Sequence, residues 1–382
     1  MKVSVVVGGI FHVPMLAENL QKLNSLEKLI TSYPKFLFKK INPNLITIIP
    51  RPTQLFEFGF KIRPPKEWIE FDSKLFGKLA SYYINKNTDV LYGWACFSLE
   101  GGRKMKRYGK KFVLDRPCPH VLFQEKLLIE ESNKLNIKFE SASKKFRCRN
   151  LKEYELADKI IVPSNYTYNS FIDYGFPKEK LFKIPLPGKI NLLGSEEIDK
   201  RKKKDEIFRV GFIGGNLLRK GTVYLLEAWD KLNLKNAELM LKAPEKQLRQ
   251  IPKINNLLNK LKNVRFVGYY KDINEFYLDL DIFCLPSIDD GFGMVLIEAM
   301  AHKIPVITSK NVGASEYIKD GDQGFILPIR DSEAIAEKIK KIYYNKTLAK
   351  KMGEKAYSQV KKKFTQNSYK KRISELLEEM KQ

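Results

Sequence analysis

Several classes of protein are excluded by what this sequence lacks. No stretch approaches the roughly 18 uninterrupted apolar residues that a membrane-spanning helix requires. The four cysteines (Cys96, Cys118, Cys148, Cys284) lie far apart with no CxxC pair. That speaks against a disulfide framework or a zinc cage and for reduced thiols in a cytoplasmic setting. Histidine occurs only three times, at His12, His120 and His302. Neither G-x-G-x-x-G nor G-x-x-x-x-G-K-[ST] occurs, so the dinucleotide fingerprint and the P-loop are both missing. Acidic residues are in deficit, 44 against 69 Lys and Arg, for a net charge of +25. The opening residues MKVSVVVGGIFH have no small-residue cleavage site. They are expected to form a first strand, Val3–Val7, entering a Gly8-Gly9 turn, and not a secretory leader.

What remains is ample for two packed cores: 382 residues, 43% of them hydrophobic. Short β-rich runs alternate with helical patterns, the order of parallel sheets with crossover helices. Strands are expected near Val3–Val7, Leu45–Ile49, Asp89–Tyr92, Phe112–Leu114, Lys159–Val162 and Leu181–Ile184. The series restarts at Phe208–Ile213, Glu238–Leu241, Val264–Val267, Ile282–Leu285, Pro305–Thr308 and Gly324–Leu327. The reading is α/β: two Rossmann-like domains facing across a cleft. They cover 1–187 and 206–363, joined by a charged linker over 188–205, too polar to enter a core. A helix over 364–382 follows and is expected to pack back on the first domain.

The segment from Pro286 to Ala301, PSIDDGFGMVLIEAMA, carries the densest chemical information. An apolar strand end leads into a glycine-rich turn with Asp289 and Asp290, and then into an apolar helix with a single acid, Glu298. A carboxylate on a buried helix needs a partner, and a ligand's hydroxyl groups would serve. The turn also aims backbone N–H groups at the helix start, where they can hold an anion. Hydroxyls plus an anion suggest a sugar nucleotide. A second glycine turn, Gly211 to Gly221, follows a strand, opens a helix and carries Arg219 and Lys220, which supply positive potential for phosphate. Such a turn is also a common capped surface turn. Both turns fall at C-terminal strand ends of one sheet, where open α/β sheets bind ligands.

At these residues the second half resembles the donor domain of retaining glycosyltransferases of the GT-B fold, family 4 (glycosyl transferases group 1). The supporting segments are Asp290 to Glu298, Ala301-His-Lys-Ile-Pro-Val-Ile307, Val312-Gly-Ala-Ser-Glu316 and Asp320-Gly-Asp-Gln-Gly-Phe-Ile-Leu327. The resemblance implies that Glu298 binds ribose hydroxyls and Asp290 those of the donor sugar, with Asp289 a competitor for that role. Gly291, Phe292, Gly293, Met294 and Val295 would form the donor turn, its amides holding sugar and phosphate oxygens. Lys220, helped by Arg219, would neutralise the diphosphate. The first half is similar more loosely. Its Gly8-Gly9 turn places Gly9 on the diphosphate from the opposite side, and Lys111 to His120 places His120 near the donor sugar. His120, Lys220 and Asp290 are the catalytic candidates. For His120 a turn histidine capping the next helix is an equal reading; His12 is a weaker candidate, and His302 is expected to be structural. Lys303 replaces the family's usual glycine and is read as peripheral. Asp279-Leu-Asp281 spells D-x-D but precedes a buried strand, so Asp281 is read as structural and no metal is expected. Tyr269 is a candidate neighbour of the base.

The expected activity is transfer of a hexose-type sugar from a UDP- or GDP-sugar to a glycan or lipid-linked acceptor in cell-surface polysaccharide or lipopolysaccharide synthesis. The expected site needs no cofactor. Other enzymes of the same fold, an epimerase or a glycan synthase, stay open, as does a non-enzymatic nucleic-acid-binding protein, although no RNA-binding signature or zinc finger occurs. The basic clusters Arg103–Arg107, Lys144–Arg149 and Lys200–Lys204 have two readings: attraction to an anionic membrane surface, or solvated lysines of a biased composition.

Overall fold

The computed structural model describes residues 1–54, 65–139, 141–186, 193–202, 205–216, 218–268 and 270–381. Tyr269 and parts of the expected linker lie outside them. The first sheet contains β1 (Val3–Val7), β2 (Leu26–Thr31), β3 (Ile46–Ile48), β4 (Val90–Trp94), β5 (Lys111–Asp115), β6 (Lys159–Val162) and β7 (Leu181–Lys183). The second contains β8 (Phe208–Ile213), β9 (Ala237–Lys242), β10 (Val264–Phe266), β11 (Ile282–Leu285), β12 (Val306–Ser309) and β13 (Gly324–Leu327). Every named pairing is parallel. The orders are β3-β2-β1-β4-β5-β6-β7 and β10-β9-β8-β11-β12-β13. Each order reverses direction once, between β1 and β4 and between β8 and β11. The loops leaving those strands open a crevice at the C-terminal edge of each sheet, the place where doubly wound folds hold ligands.

Burial explains why the central strands read as unbroken apolar runs. β1, β4 and β11 are buried at every position because helices cover both sheet faces. β2 was not anticipated: its Glu27 and Lys28 interrupt the apolar pattern, yet Leu29, Ile30 and Thr31 are buried beside β1. The helices Lys66–Tyr82, Leu99–Arg107 and Lys144–Leu156 likewise add to the expected elements.

Two connections tie the domains together. Ser195–Arg201 is a helix whose Ile198 is fully buried against Leu278 and Tyr357. The expectation of a wholly exposed linker is therefore corrected: a single apolar side chain docks this segment on the second domain. At the other end the helix Lys346–Lys363 stops, and a Thr365–Ser368 capping box starts Gln366–Glu379. Tyr369, Ile373, Leu376 and Leu377 of this last helix pack into the first domain's core with Val3, Leu16 and Leu20. No helix among the described residues is long and apolar enough to cross a membrane.

Candidate active site

The glycine turn after β8 is fixed by its approach to β11. Gly221 has φ +65°, and a Cβ there would sit 2.0 Å from the Pro286 carbonyl oxygen, so only glycine fits. The Arg219 carbonyl also accepts from the amides of Ile288, at 2.7 Å, and Asp289, at 3.2 Å. These contacts hold Arg219 and Lys220 against the acidic turn. The Lys220 ammonium pairs with Asp290 Oδ2, and Arg219 Nε donates to Asp289 Oδ2 at 2.9 Å.

The two aspartates have different surroundings. Asp289 is fully buried and also accepts from Gln124 Nε2 at 2.6 Å and from Tyr166 OH at 2.9 Å, both in the first domain. With three donors on its two oxygens, Asp289 joins the domains. Asp290 accepts from Lys220 and, at 3.4 Å, from the Phe292 amide. Burial acts to raise its pKa, but the nearby Lys220 and Arg219 outweigh this and hold it below the usual value.

Gly291 and Phe292 also make packing contacts. The Gly291 carbonyl accepts from Ser164 Oγ at 2.7 Å and Thr167 Oγ1 at 3.1 Å. A Cβ at Gly291 would lie 2.0 Å from the Pro117 carbonyl oxygen of the facing domain. The Phe292 ring is core, packed edge-on to Tyr317 and Phe364. The Gly291 carbonyl and the Phe292 ring are thus engaged by protein groups, the former where the domains meet. Gly293, at φ +84°, starts the helix Met294–Met300. Met294 and Val295 are its first residues, where a helix leaves amides without internal acceptors.

Glu298 lies on that helix and lines a cavity of about 900 Å³ between the domains. Tyr277 OH donates to its Oε2 at 2.7 Å. Burial raises the Glu298 pKa, and the tyrosine only partly opposes this. His302 braces the group: Nδ1 lies 2.7 Å from the Glu298 carbonyl oxygen, Nε2 lies 2.9 Å from Asn274 Oδ1, and the ring stacks on Tyr277. Tyr277 and Asn274 were missed in the sequence, since neither belongs to a motif.

The first domain's contribution differs from expectation. His120 is 1% exposed and surrounded by Tyr154, Phe171, Tyr174 and Phe176. Its ring nitrogens are buried with no hydrogen-bond partner. Burial, with Arg116 nearby, pushes its pKa down to about 4. His120 sits at the N-cap of the helix Val121–Lys134 without a side-chain cap bond, and its ring packs among these aromatics instead of lining the cavity, which corrects its expected place in the cleft. The cavity receives His12, which follows the Gly8-Gly9 turn. His12 Nε2 is 3.0 Å from Asp115 Oδ2 at the end of β5, and Tyr92 OH donates to that oxygen at 2.7 Å. The turn bearing Gly9 is pinned through the Gly8 carbonyl, which accepts from Ser32 Oγ at 2.9 Å and Arg51 Nη1 at 2.5 Å. Buried Arg51 also binds Asp72 at 2.6 Å. Asp115 and Arg51 were legible only as strand-end and loop charges.

Asp281 Oδ2 accepts the Arg209 amide at 2.8 Å, a strand-entry contact. Lys303, read as peripheral to the donor site, does not line the cavity that holds Glu298 and is buried elsewhere in the second domain. It takes the left-handed φ of +57° that a glycine would favour, and its buried ammonium pairs with Asp199 at 2.7 Å and Glu354 at 3.0 Å. Among the described residues no cluster of three His, Cys, Asp or Glu could hold a metal.

Residues 195–359 match the family model for glycosyl transferases group 1. The capsular polysaccharide biosynthesis glycosyltransferase CapM of Staphylococcus aureus is 30% identical over 167 residues, 43% of this chain and 44% of CapM. The lipopolysaccharide core biosynthesis glycosyltransferase LpsE of Rhizobium meliloti is 26% identical over 150 residues, 39% of this chain and 44% of LpsE. The chain thus spans less than half the length of these curated relatives. The crystal structure of Anabaena HepE in complex with UDP and glucose aligns over 99% of both chains with a TM-score of 0.70 at 17% identity. Over residues 195–359 the chain is thus similar to the glycosyl transferases group 1, on a two-domain α/β fold of the GT-B type.

Proposed function

We propose that this protein is a retaining, metal-independent glycosyltransferase. It moves a hexose from a nucleoside-diphosphate sugar, with UDP the first candidate, to a hydroxyl of a glycan or lipid-linked acceptor in cell-surface polysaccharide synthesis. The observation that carries the reading is one of placement. Lys220, Asp290 and Glu298 all follow the C-terminal ends of the adjacent strands β8 and β11, Lys220 paired with Asp290, while Glu298 and Tyr277 line one cavity with His12 of the first domain. The relatives' names and the UDP and glucose held by HepE support the substrate class.

In this reading Glu298 accepts the ribose hydroxyls, its carboxylate oriented by Tyr277. Lys220 and the first amides of the Met294–Met300 helix receive the diphosphate, and Asp290 turns from Lys220 to the donor sugar's hydroxyls. As the bond between C1 and the phosphate oxygen breaks, negative charge grows on the diphosphate. A preorganised cation there lowers the barrier by about 3 kcal/mol, by comparison with oxyanion donors. The acceptor oxygen bonds to C1 on the face the diphosphate leaves, and its proton passes to a departing phosphate oxygen. No carboxylate is assigned as a covalent nucleophile. His12, oriented by Asp115, meets the donor from the opposite domain.

The deciding experiment is a panel of UDP-, GDP- and ADP-sugars monitored by nucleotide release, with and without EDTA, and with the product anomer read by NMR. Release from one donor, unaffected by EDTA and with the donor's anomeric configuration retained, is expected. Absence of release from every donor, alongside tight DNA or RNA retention on filters, would overturn the enzyme reading.

A further inference from the structure

The helix Lys66–Tyr82 has two unlike faces. On the inner face Asp72, Ser73, Phe76 and Ala80 are buried. Asp72 binds Arg51 Nε at 2.6 Å and Arg51 holds the Gly8 carbonyl, so the helix cannot roll without moving that turn. On the outer face Phe71, Leu79 and Tyr82 are 63%, 37% and 68% exposed. Leu75 lies half-buried between them, and Trp68 is half-exposed at the N-terminal end. The spacing is symmetrical: Phe71 and Leu79 lie four residues either side of Leu75, and Trp68 and Tyr82 lie seven. Four and seven are the spacings of one helix face, so these side chains form a single stripe that matches its own reverse.

The charges follow the same plan. Glu67 and Glu70 stand in the N-terminal half of the helix, Lys74 and Lys78 in the C-terminal half. Their spacings of three and four residues place them in one row along a flank of the stripe. Among the described residues none of the four has an ion-pair partner. A stripe that equals its reverse, with acids at one end and lysines at the other, is complementary to an antiparallel copy of itself. With Leu75 on a two-fold axis, Phe71 of each copy meets Leu79 of the other, and each acidic end lies along a basic end. Glu70 and the other copy's Lys78 then stand about 3 Å apart in level along the pair. An anionic bilayer would attract the lysines but repel the two acids in the same row, so it fits this face less well.

We propose that the outer face of the Lys66–Tyr82 helix is an interface between two copies of this chain, paired antiparallel across Leu75. Each copy covers the other's Phe71, Leu79 and Tyr82, and the acidic end of each helix pairs with the basic end of the other. One pair of helices is a small interface beside those of permanent dimers, so the assembly dissociates on dilution. Pairing of this kind is independent of the chemistry at Lys220 and Glu298.

Sedimentation equilibrium of the full chain over a dilution series tests the interface. The wild type is expected to pass from twice the chain mass to the chain mass as it is diluted. Phe71→Ser/Leu79→Ser should stay at the chain mass, with a far-UV circular dichroism spectrum like that of the wild type. Lys74→Glu/Lys78→Glu makes the charged row wholly acidic, and Glu67→Lys/Glu70→Lys makes it wholly basic. Each alone should raise the dimer dissociation constant about tenfold or more, since like charges then face each other. Mixing the two in equal amounts should restore a dimer with one copy of each, a rescue that a folding defect would not give. Phe36→Ser/Leu37→Ser, at exposed apolar groups elsewhere on the first domain, should dimerise as the wild type does. A wild type that is monomeric at every concentration would overturn the interface. So would a dimer that survives Phe71→Ser/Leu79→Ser, a mixture that stays monomeric, or loss of the dimer in Phe36→Ser/Leu37→Ser alone. Attachment of a monomeric wild type to phosphatidylglycerol vesicles, strengthened by Glu67→Lys/Glu70→Lys, would show a bilayer-docking face in its place.

Discussion

At the scale of single residues, the acidic turn separates chemistry from structure. Asp289 spends its oxygens on three protein donors, whereas Asp290 is held by Lys220, whose own side chain is partly accessible. Lys220→Ala should lower kcat by about two to three orders of magnitude. It also strands Asp290, so some thermal stability should be lost. Lys220→Ala/Asp290→Asn should recover that stability without recovering turnover, a split that thermal melts and nucleotide release together would measure. Glu298→Gln should weaken UDP affinity about tenfold, the loss of a hydrogen bond to a charged acceptor. Because burial raises the Glu298 pKa, wild-type affinity should begin to fall at a pH above 4.5, while the Gln variant stays flat. His120 makes the opposite prediction. Its folded pKa of about 4 lies below the 6.5 of the unfolded chain, so the unfolded state takes up the proton first as pH falls. Stability held above pH 6.5 should decline by about 3 kcal/mol towards pH 4. His120→Phe should remove that part of the acid sensitivity, measured by urea unfolding at both pH values, and leave glycosyl transfer intact.

At the scale of elements, the site depends on how turns meet strand ends. The turn after β8 can reach β11 only because Gly221 has no side chain and adopts a left-handed conformation. Gly221→Ala should cost about 2–3 kcal/mol from the clash and the backbone strain together. By moving Lys220 off Asp290 it should also reduce turnover more than stability alone explains, which activity assays well below the melting temperature would test. Much at this scale was legible: β1, β8 and β11 stand out because buried parallel strands read as apolar runs bounded by glycine turns. What was not legible had mixed signals. β2 contains Glu27 and Lys28, and the Leu99–Arg107 helix contains Gly101 and Gly102, which lower helix propensity where packing overrides it.

At the scale of the whole molecule, the two domains meet through Gln124, Tyr166, Ser164 and Thr167 on one side and Asp289 and Gly291 on the other. Arg330 adds a contact to buried Glu131 at 2.7 Å. The hydrogen bonds at the first group of residues run to the same turn that carries Asp290, so the contact between the domains and the position of Asp290 are mechanically linked. Gly291→Ala would drive a Cβ into the Pro117 carbonyl and hold the domains apart. Small-angle scattering should report a larger radius of gyration, and kcat should fall more than UDP affinity, since the groups proposed for ribose and diphosphate, Glu298 and Lys220, both belong to the second domain.

The sequence by itself determined the α/β class, the two parallel sheets and the acidic and glycine turns of the second domain. Those features are local: strand burial, turn chemistry and residue spacing are written in consecutive residues. Only the tertiary structure decided that His12 and not His120 reaches the cleft, that Asp289 and Gly291 fasten the domains, and that Tyr277 orients Glu298. Each of these depends on which distant side chain fills the space beside a group, and steric exclusion between segments a hundred residues apart leaves no periodic mark along the chain.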